Sequence, residues 1–134
     1  MTYPKVSIIL INWNGLVDTI HCLKSLSDIS YPNYEIVVVD NGSDKDDFEA
    51  LKKIFGDYIH AIKTDRNYGF AEGNNIGMWY ALTRGADYVM LLNNDTVVTF
   101  DFLERMIEVA ESNSKIGLLT PKVCYYDKPD TIWE

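Results

Sequence analysis

The 134-residue sequence is poor in basic side chains and cysteine, and each shortage argues against a class of protein. Twelve Lys and Arg against 20 Asp and Glu give a net charge of −8. This charge argues against a nucleic-acid surface, because such a surface needs clustered cations to neutralise phosphates. The two cysteines, Cys22 and Cys124, lack the spacing of a zinc site or a CxxC motif. We therefore expect reduced, structural thiols.

Long apolar runs are also missing. No stretch of about 18 apolar residues could form a membrane-spanning helix, and the first residues do not have the pattern of a secretory signal, in which an apolar segment follows a basic one. A length of 134 residues suits one core of ordinary size. We expect a cytoplasmic protein whose residues 1–134 form a single domain.

Apolar runs typical of strands alternate with apolar residues at helical spacing. The predicted strands cover residues 6–11, 36–39, 58–63, 88–92 and 117–120. The helical spacing covers residues 16–26, 70–82 and 101–110. This alternation predicts βαβ crossovers and an α/β fold: a mainly parallel, Rossmann-like sheet with helices on both faces.

Polar residues follow the predicted strands at the point where each strand ends. Ligands of an open parallel sheet bind outside these carboxyl ends, although turn formation also favours Asn and Asp in any one loop. The strongest example is Asn93-Asn94-Asp95, three oxygen-bearing side chains directly after a strand. Mg²⁺ and Mn²⁺ prefer such oxygens. One carboxylate, completed by phosphate oxygens and water, is a workable metal site.

Asp40 follows four apolar strand residues and has two interpretations. It could cap the next helix, but Ser43 with Asp46 has the form of a capping box, which predicts that Ser43 caps a helix containing Phe48 and Leu51. Asp40 is then free to accept hydrogen bonds from a base or ribose. Neither GxGxxG nor GxxxxGK[ST] is present. A diphosphate would therefore be held in another way, and a metal supplies one.

Four segments together resemble a known family. They are VSIILINWN at residues 6–14, VVVDNGSD at 37–44, RNYGFA at 66–71 with Asn75, and LLNND at 91–95. In this order and spacing they resemble the inverting family 2 glycosyltransferases of GT-A fold, especially bacterial rhamnosyltransferase-like members. The resemblance covers nearly the whole chain and implies a nucleotide-diphospho-sugar transferase type of sheet.

The resemblance implies roles for residues around a nucleotide sugar. Asn12 matches a position that approaches the nucleotide, and Asp40 matches the acidic residue that hydrogen-bonds the base. Arg66 and Asn67 lie in the segment that closes over the nucleotide, and Asn75 belongs to the same binding motif.

Asn93-Asn94-Asp95 resembles the DxD motif, whose last carboxylate binds the metal that carries the diphosphate. The first Asp is replaced by Asn in this chain, so Asp95 is the sole charged metal ligand and Mg²⁺ or Mn²⁺ affinity is expected to be weaker. Asn93 and Asn94 are assigned to ribose, water or other donor contacts. Trp13, beside the end of the first strand, is a candidate for sugar stacking.

The implied reaction transfers a sugar from dTDP-rhamnose or a UDP-sugar, with inversion, to an acceptor hydroxyl in cell-surface glycan or polysaccharide synthesis. In the family the general base comes from a later acidic motif, so we expect it downstream of Glu134, and the chain to be truncated before the acceptor-binding segment. The acceptor is a glycan or a lipid-linked molecule. With a lipid-linked acceptor, we expect peripheral attachment at the inner face of the membrane.

Two other hypotheses belong to different classes. The first is a nucleotide-sugar-binding fragment without catalytic activity of its own. The second is a phosphoacceptor receiver domain, which needs an acidic pair after strand one and a lysine after strand five. Asn12-Trp13-Asn14 lacks the acidic pair, although Lys122 lies near the position of the lysine.

Overall fold

The computed structural model describes residues 2–133, which form a four-stranded parallel sheet with helices on both faces. The strands are β1 (Val6–Asn12), β2 (Tyr34–Asp40), β3 (Ile59–Lys63) and β4 (Tyr88–Leu91). The helices are α1 (Leu16–Leu26), α2 (Asp47–Phe55), α3 (Phe70–Thr83) and α4 (Phe102–Ser112), with a 3-10 turn at Gly56–Tyr58. The predicted α/β fold is confirmed. None of the described helices is both long and apolar enough to cross a membrane.

The strand order β3-β2-β1-β4 creates a reversal beside β1. Ile8 of β1 pairs with Ile36 of β2 on one side and with Met90 of β4 on the other. The chain moves from β1 through β2 to β3 in one direction and then returns to the far side of β1. The carboxyl ends of β1 and β4 therefore flank the switch point at which open α/β sheets bind ligands.

Alternating side chains of β1 and β2 supply two apolar layers. Ile8 and Leu10 face the cluster that contains the buried apolar residues of α1, α2 and α4. Ile9 faces the opposite cluster, which contains Ala81 of α3. Right-handed crossovers explain this division, because a connection that reverses its direction along the sheet must pass over the opposite face.

Helix α3 lies close against the sheet at Gly77, where an added Cβ would lie 2.4 Å from Cγ2 of the buried Ile9. We expect Gly77→Ala to lower the free energy of unfolding by about 1–2 kcal/mol. The added Cβ is close enough to Ile9 to place overpacking in the upper part of its usual range of about 1–3 kcal/mol, from which the higher helix propensity of alanine subtracts about 1 kcal/mol. Urea denaturation measures the change.

Glu72→Ala is the control for Gly77→Ala, because Glu72 is exposed on the same helix. Its free energy of unfolding should stay within about 0.5 kcal/mol of wild type. A Gly77→Ala protein as stable as the Glu72→Ala protein would contradict the close packing of α3 on Ile9.

The predicted fifth strand at residues 117–120 is wrong. These residues are in no strand, and Leu118 is 94% exposed. A four-residue segment with two leucines specifies no pairing partner, and in the described residues the sheet ends at β4. Beyond residue 120 the described chain makes one isolated antiparallel bridge, between Cys124 and Ile132.

The predicted capping box before α2 is also wrong. The helix begins at Asp47 with Asp46 as N-cap residue, and no side-chain capping bond is formed. The Ser43 hydroxyl instead donates to Asp40. The turn between β2 and α2 directs Ser43 back toward the strand ends and away from the helix.

Candidate functional site

A cavity of about 260 Å³ lies at the carboxyl ends of the strands, beside the switch point. It is lined by Ile11, Trp13, Asn41, Asn67, Phe70, Leu92, Asn93 and Asn94. Four of these residues are asparagines, so the polar part of the lining offers amide donors and acceptors and no charge. Such a lining can hydrogen-bond the uncharged parts of a nucleotide or sugar, and the apolar side chains can pack against a ring.

Three of the predicted site residues, Asn67, Asn93 and Asn94, line this cavity together. Trp13, the stacking candidate, also lines it and is 53% exposed. The structure therefore brings together segments that follow β1, β3 and β4. This convergence follows from the parallel arrangement, which places all carboxyl ends on one edge.

Asn12 and Asp40 are buried at the ends of β1 and β2, where they pair in register. The Asn12 Nδ2 amide donates to Asp40 Oδ1 over 3.1 Å and to Asp47 Oδ2 over 3.0 Å. Asp47 is a second buried carboxylate, to which the sequence analysis assigns no role. Asn12 thus lies between two carboxylates.

The other oxygen of Asp40 has a different environment. Oδ2 is buried and has no hydrogen-bond partner within residues 2–133. A buried carboxylate oxygen without a donor is costly, so Asp40 retains acceptor capacity for a ligand.

Asn41 holds the segment predicted to close over a nucleotide. Its Nδ2 donates to Asn67 Oδ1 over 3.2 Å and to the Gly69 carbonyl over 3.0 Å. Its Oδ1 accepts from the Tyr68 N–H over 3.2 Å. The sequence interpretation placed Asn41 at a strand end without a role. Its position directly after β2, facing the β3–α3 loop, was the feature that could have indicated this role.

Arg66, Asn75 and Asp95 are exposed and lie outside the cavity lining. The Arg66 guanidinium lies over the Tyr68 ring, 4.7 Å from its centroid. On α3 the neighbouring residue, Asn74, points inward and donates to the Phe70 carbonyl. The roles of Arg66, Asn75 and Asp95 in ligand binding stay predictions.

The residues around Asp95 fit a metal that is shared with a ligand. The described chain contains no group of three or more His, Cys, Asp and Glu side chains that could hold a metal ion. A protein-only cage is therefore absent from residues 2–133. Mg²⁺ commonly binds through one or two carboxylates together with phosphate oxygens and waters, and the exposed Asp95 carboxylate suits that arrangement.

Cys22 of α1 lies beneath the loop that carries Asp95. Its Sγ is 3.9 Å from the Asn93 carbonyl oxygen and 3.8 Å from Thr96 Oγ1. Burial raises the pKa of the Cys22 thiol to about 11, so the thiol stays protonated and does not act as a nucleophile. Cys22 and Cys124 are both free, as predicted.

Comparisons with known proteins identify the family of the chain. The sequence profile of the family described as Glycosyl transferase family 2 matches residues 7–134. The dTDP-rhamnosyl transferase RfbF of Shigella flexneri is 26% identical over 117 residues, covering 84% of this chain and 37% of the relative.

Two solved structures share the fold. S. aureus TarS 1-349 in complex with UDP-GlcNAc superposes with a TM-score of 0.71 at 17% identity, over 92% of this chain and 41% of that one. The mannosyltransferase PcManGT from Pyrobaculum calidifontis, in complex with GDP-Man and Mn²⁺, gives a TM-score of 0.72 at 19% identity, over 82% and 33%.

The chain spans about two-fifths or less of the length of these three proteins. Within that span the match to the family profile extends from β1 to the last residue. The fold is the GT-A fold of these two glycosyltransferases. The chain belongs to glycosyl transferase family 2.

Proposed function

We propose that this chain is the nucleotide-sugar-binding part of an inverting glycosyltransferase. The enzyme would transfer rhamnose from dTDP-rhamnose, or another sugar from a UDP-sugar, to an acceptor hydroxyl in cell-surface glycan or polysaccharide synthesis. The observation that carries the proposal is the asparagine-lined cavity at the switch point, with Asp40 buried at the end of β2 and Asp95 exposed after β4. Family membership and a relative described as a dTDP-rhamnosyl transferase support it.

The donor would lie with its base on the Asp40 side and its diphosphate on the Asp95 side. Asp40 would accept a hydrogen bond from the base through Oδ2, the oxygen that lacks a partner in the described residues. Asn67, held by Asn41, would close over the nucleotide, and Asn93 would contact ribose or water. The cavity lining includes Asn41, which follows Asp40, and Asn94, which precedes Asp95.

A divalent metal fits the Asp95 side. Mg²⁺ or Mn²⁺ held by Asp95 and phosphate oxygens would supply Lewis-acid stabilisation of the charge on the departing diphosphate. Inversion also requires a general base on the acceptor hydroxyl. The cavity lining contains no titratable side chain, and we place the base in a later acidic motif of the whole enzyme. We further propose a cytoplasmic location, at the inner face of the membrane when the acceptor is lipid-linked.

The same lining favours a second candidate function, binding of a nucleotide sugar without turnover by this chain alone. A cavity with amides and apolar groups can bind a donor, but it offers no group to deprotonate an acceptor. The two candidates differ in product formation and agree on donor binding.

The test is calorimetric titration of the chain with UDP, dTDP and GDP sugars in Mn²⁺ and in EDTA. We expect at least one of them to bind about tenfold or more tightly with Mn²⁺, because the metal offsets repulsion between the diphosphate and a chain of net charge −8. Uridine and thymidine, which lack phosphates, are the controls and should bind equally in both conditions. Metal-independent or absent binding of all the sugars would refute the donor-site proposal.

A further inference from the structure

The loop that carries Asp95 is tied to the Asp40 side of the site by a chain of side-chain hydrogen bonds. Asn94 Nδ2 donates to Thr19 Oγ1 over 3.0 Å, and Thr19 Oγ1 donates to Asn12 Oδ1 over 2.7 Å. Asn12 Nδ2 in turn donates to Asp40 Oδ1 over 3.1 Å. Thr19, in α1, is fully buried. Three bonds thus join the loop after β4 to the end of β2.

The two buried carboxylates fix the direction of every bond in this chain. Asn12 Nδ2 lies within hydrogen-bond distance of Asp40 and Asp47, which only accept when ionised, so the Asn12 oxygen must face Thr19. Thr19 has a single hydroxyl hydrogen, which this oxygen takes. Asn94 must therefore donate to Thr19 through its NH₂ group. The side-chain oxygen of Asn94 takes no part in this bond.

Helix α1 contacts the same loop at two further points. Cys22 lies against the Asn93 carbonyl and Thr96, and Ser25 Oγ accepts from the Val98 N–H over 3.2 Å. Residues 92–99 have no helix or strand of their own. The position of the loop is therefore set by α1 in addition to β4.

We propose that Thr19 is a positioning residue that holds the Asn93–Asp95 segment in register with Asp40. Through Thr19, the metal and diphosphate side of the donor site and the base side form one hydrogen-bonded unit. Two of the three bonds are buried and the Asn94–Thr19 bond is partly buried. All the donors point toward the carboxylates, so the bonds reinforce one another. The ligand-binding consequence rests on the proposed function, whereas the positioning itself is a property of the ligand-free protein.

The first test is made on the ligand-free chain with ¹⁵N-labelled Thr19→Val and Thr19→Ser proteins. Valine keeps the shape of threonine and removes the hydroxyl, while serine keeps the hydroxyl. We expect Thr19→Val to shift the side-chain NH₂ resonances of Asn12 and Asn94 and the backbone amides of residues 93–95, and Thr19→Ser to leave them close to wild type. Unchanged resonances at residues 93–95 in Thr19→Val would overturn the proposal. Thr19→Ala, which adds no bulk, replaces Thr19→Val if the valine protein does not fold.

The second test measures affinity for the nucleoside diphosphate, among UDP, dTDP and GDP, that wild type binds best. We expect Thr19→Val to weaken Mn²⁺-dependent binding about tenfold, since the buried Asn12 oxygen and the partly buried Asn94 amide lose their partner. Binding of the corresponding nucleoside should change less than about twofold, because Asn12 keeps its bonds to both carboxylates. Thr19→Ser should restore the diphosphate affinity.

Ser25→Ala is the matched control, because Ser25 bonds the same loop from the same helix without belonging to the chain. Its Mn²⁺-dependent affinity should stay within about twofold of wild type, because the Ser25 bond reaches Val98, beyond the Asn93–Asp95 segment. Equal loss of nucleoside and diphosphate affinity in Thr19→Val would show general damage and overturn the positioning role. If wild type binds no diphosphate with Mn²⁺, the proposed function fails, and the resonances of the ligand-free proteins still decide the role of Thr19.

Discussion

Gly42→Ala is expected to lower the free energy of unfolding by about 2–5 kcal/mol and to abolish tight nucleotide binding. Gly42 has a φ of +80°, which costs an alanine about 1–2 kcal/mol. An added Cβ would also lie 2.4 Å from the carbonyl carbon of Arg66 and 2.5 Å from the amide nitrogen of Asn67. These are backbone atoms, so relief requires the 66–67 segment to move, and overpacking adds about 1–3 kcal/mol.

The loss of binding in Gly42→Ala has the same cause as the loss of stability. The displaced segment carries Asn67, which lines the cavity, and precedes Tyr68 and Gly69, which Asn41 holds in place. A shift of that backbone would break the Asn41 contacts. Urea denaturation gives the stability change, and titration with the best nucleoside diphosphate gives the affinity.

Gly85→Ala separates the energetic cost of the Cβ contact at Gly42 from the cost of the left-handed backbone conformation. Gly85 has a φ of +78°, almost equal to that of Gly42, and an added Cβ there would meet no atom within 4 Å. We expect a loss of about 1–2 kcal/mol, from the left-handed conformation alone, with affinity unchanged. Equal destabilisation by the two substitutions would show that the approach of Gly42 to residues 66 and 67 has no energetic role.

The sequence was most informative where one physical signal acted alone. The β-branched runs in β1 and β2 predict strands because both faces of these strands are covered, and the structure buries Ile8, Ile9 and Val37 completely. Residues 117–120 have a similar but shorter pattern without a neighbouring strand, and they form none. A segment with a strand-like pattern forms a strand only where a neighbouring strand is available for pairing.

The sequence predicts where the site lies on the sheet, but it does not predict all the hydrogen bonds between the site residues. The polar strand ends predicted the correct edge of the sheet, because parallel strands place their carboxyl ends together. The capping-box rule treated Ser43 as part of α2, whereas its hydroxyl donates to Asp40. That bond depends on the left-handed conformation at Gly42, which returns the chain toward β2. Asp47 and Thr19 were missed for a related reason, since their partner Asn12 is distant in sequence.

Asp95→Ala is expected to weaken nucleoside diphosphate binding in Mn²⁺ roughly 100-fold and to remove its metal dependence. Asp95 is the one carboxylate of the Asn93-Asn94-Asp95 motif, so its loss leaves only neutral oxygens for the metal. Removing a charged partner of this kind costs on the order of 3 kcal/mol, which corresponds to about two powers of ten in affinity. Calorimetric titration in Mn²⁺ and in EDTA measures both effects.

The fold should tolerate Asp95→Ala, because the side chain is exposed and no hydrogen bond or ion pair of the described residues involves its carboxylate. The free energy of unfolding should change by less than about 0.5 kcal/mol. Asp57→Ala is the charge-matched control. Asp57 is exposed in the turn that enters β3, at the opposite end of the strands and the opposite edge of the sheet.

Asp57→Ala and Asp95→Ala change the net charge equally, so long-range attraction of the diphosphate rises by a similar amount in both. A local metal site predicts unchanged metal dependence in Asp57→Ala and none in Asp95→Ala. If both proteins keep the wild-type response to Mn²⁺, the metal is held elsewhere. The Asn-for-Asp replacement at position 93 would then mark a motif that no longer binds metal, and the diphosphate would be held through a metal bound outside this motif.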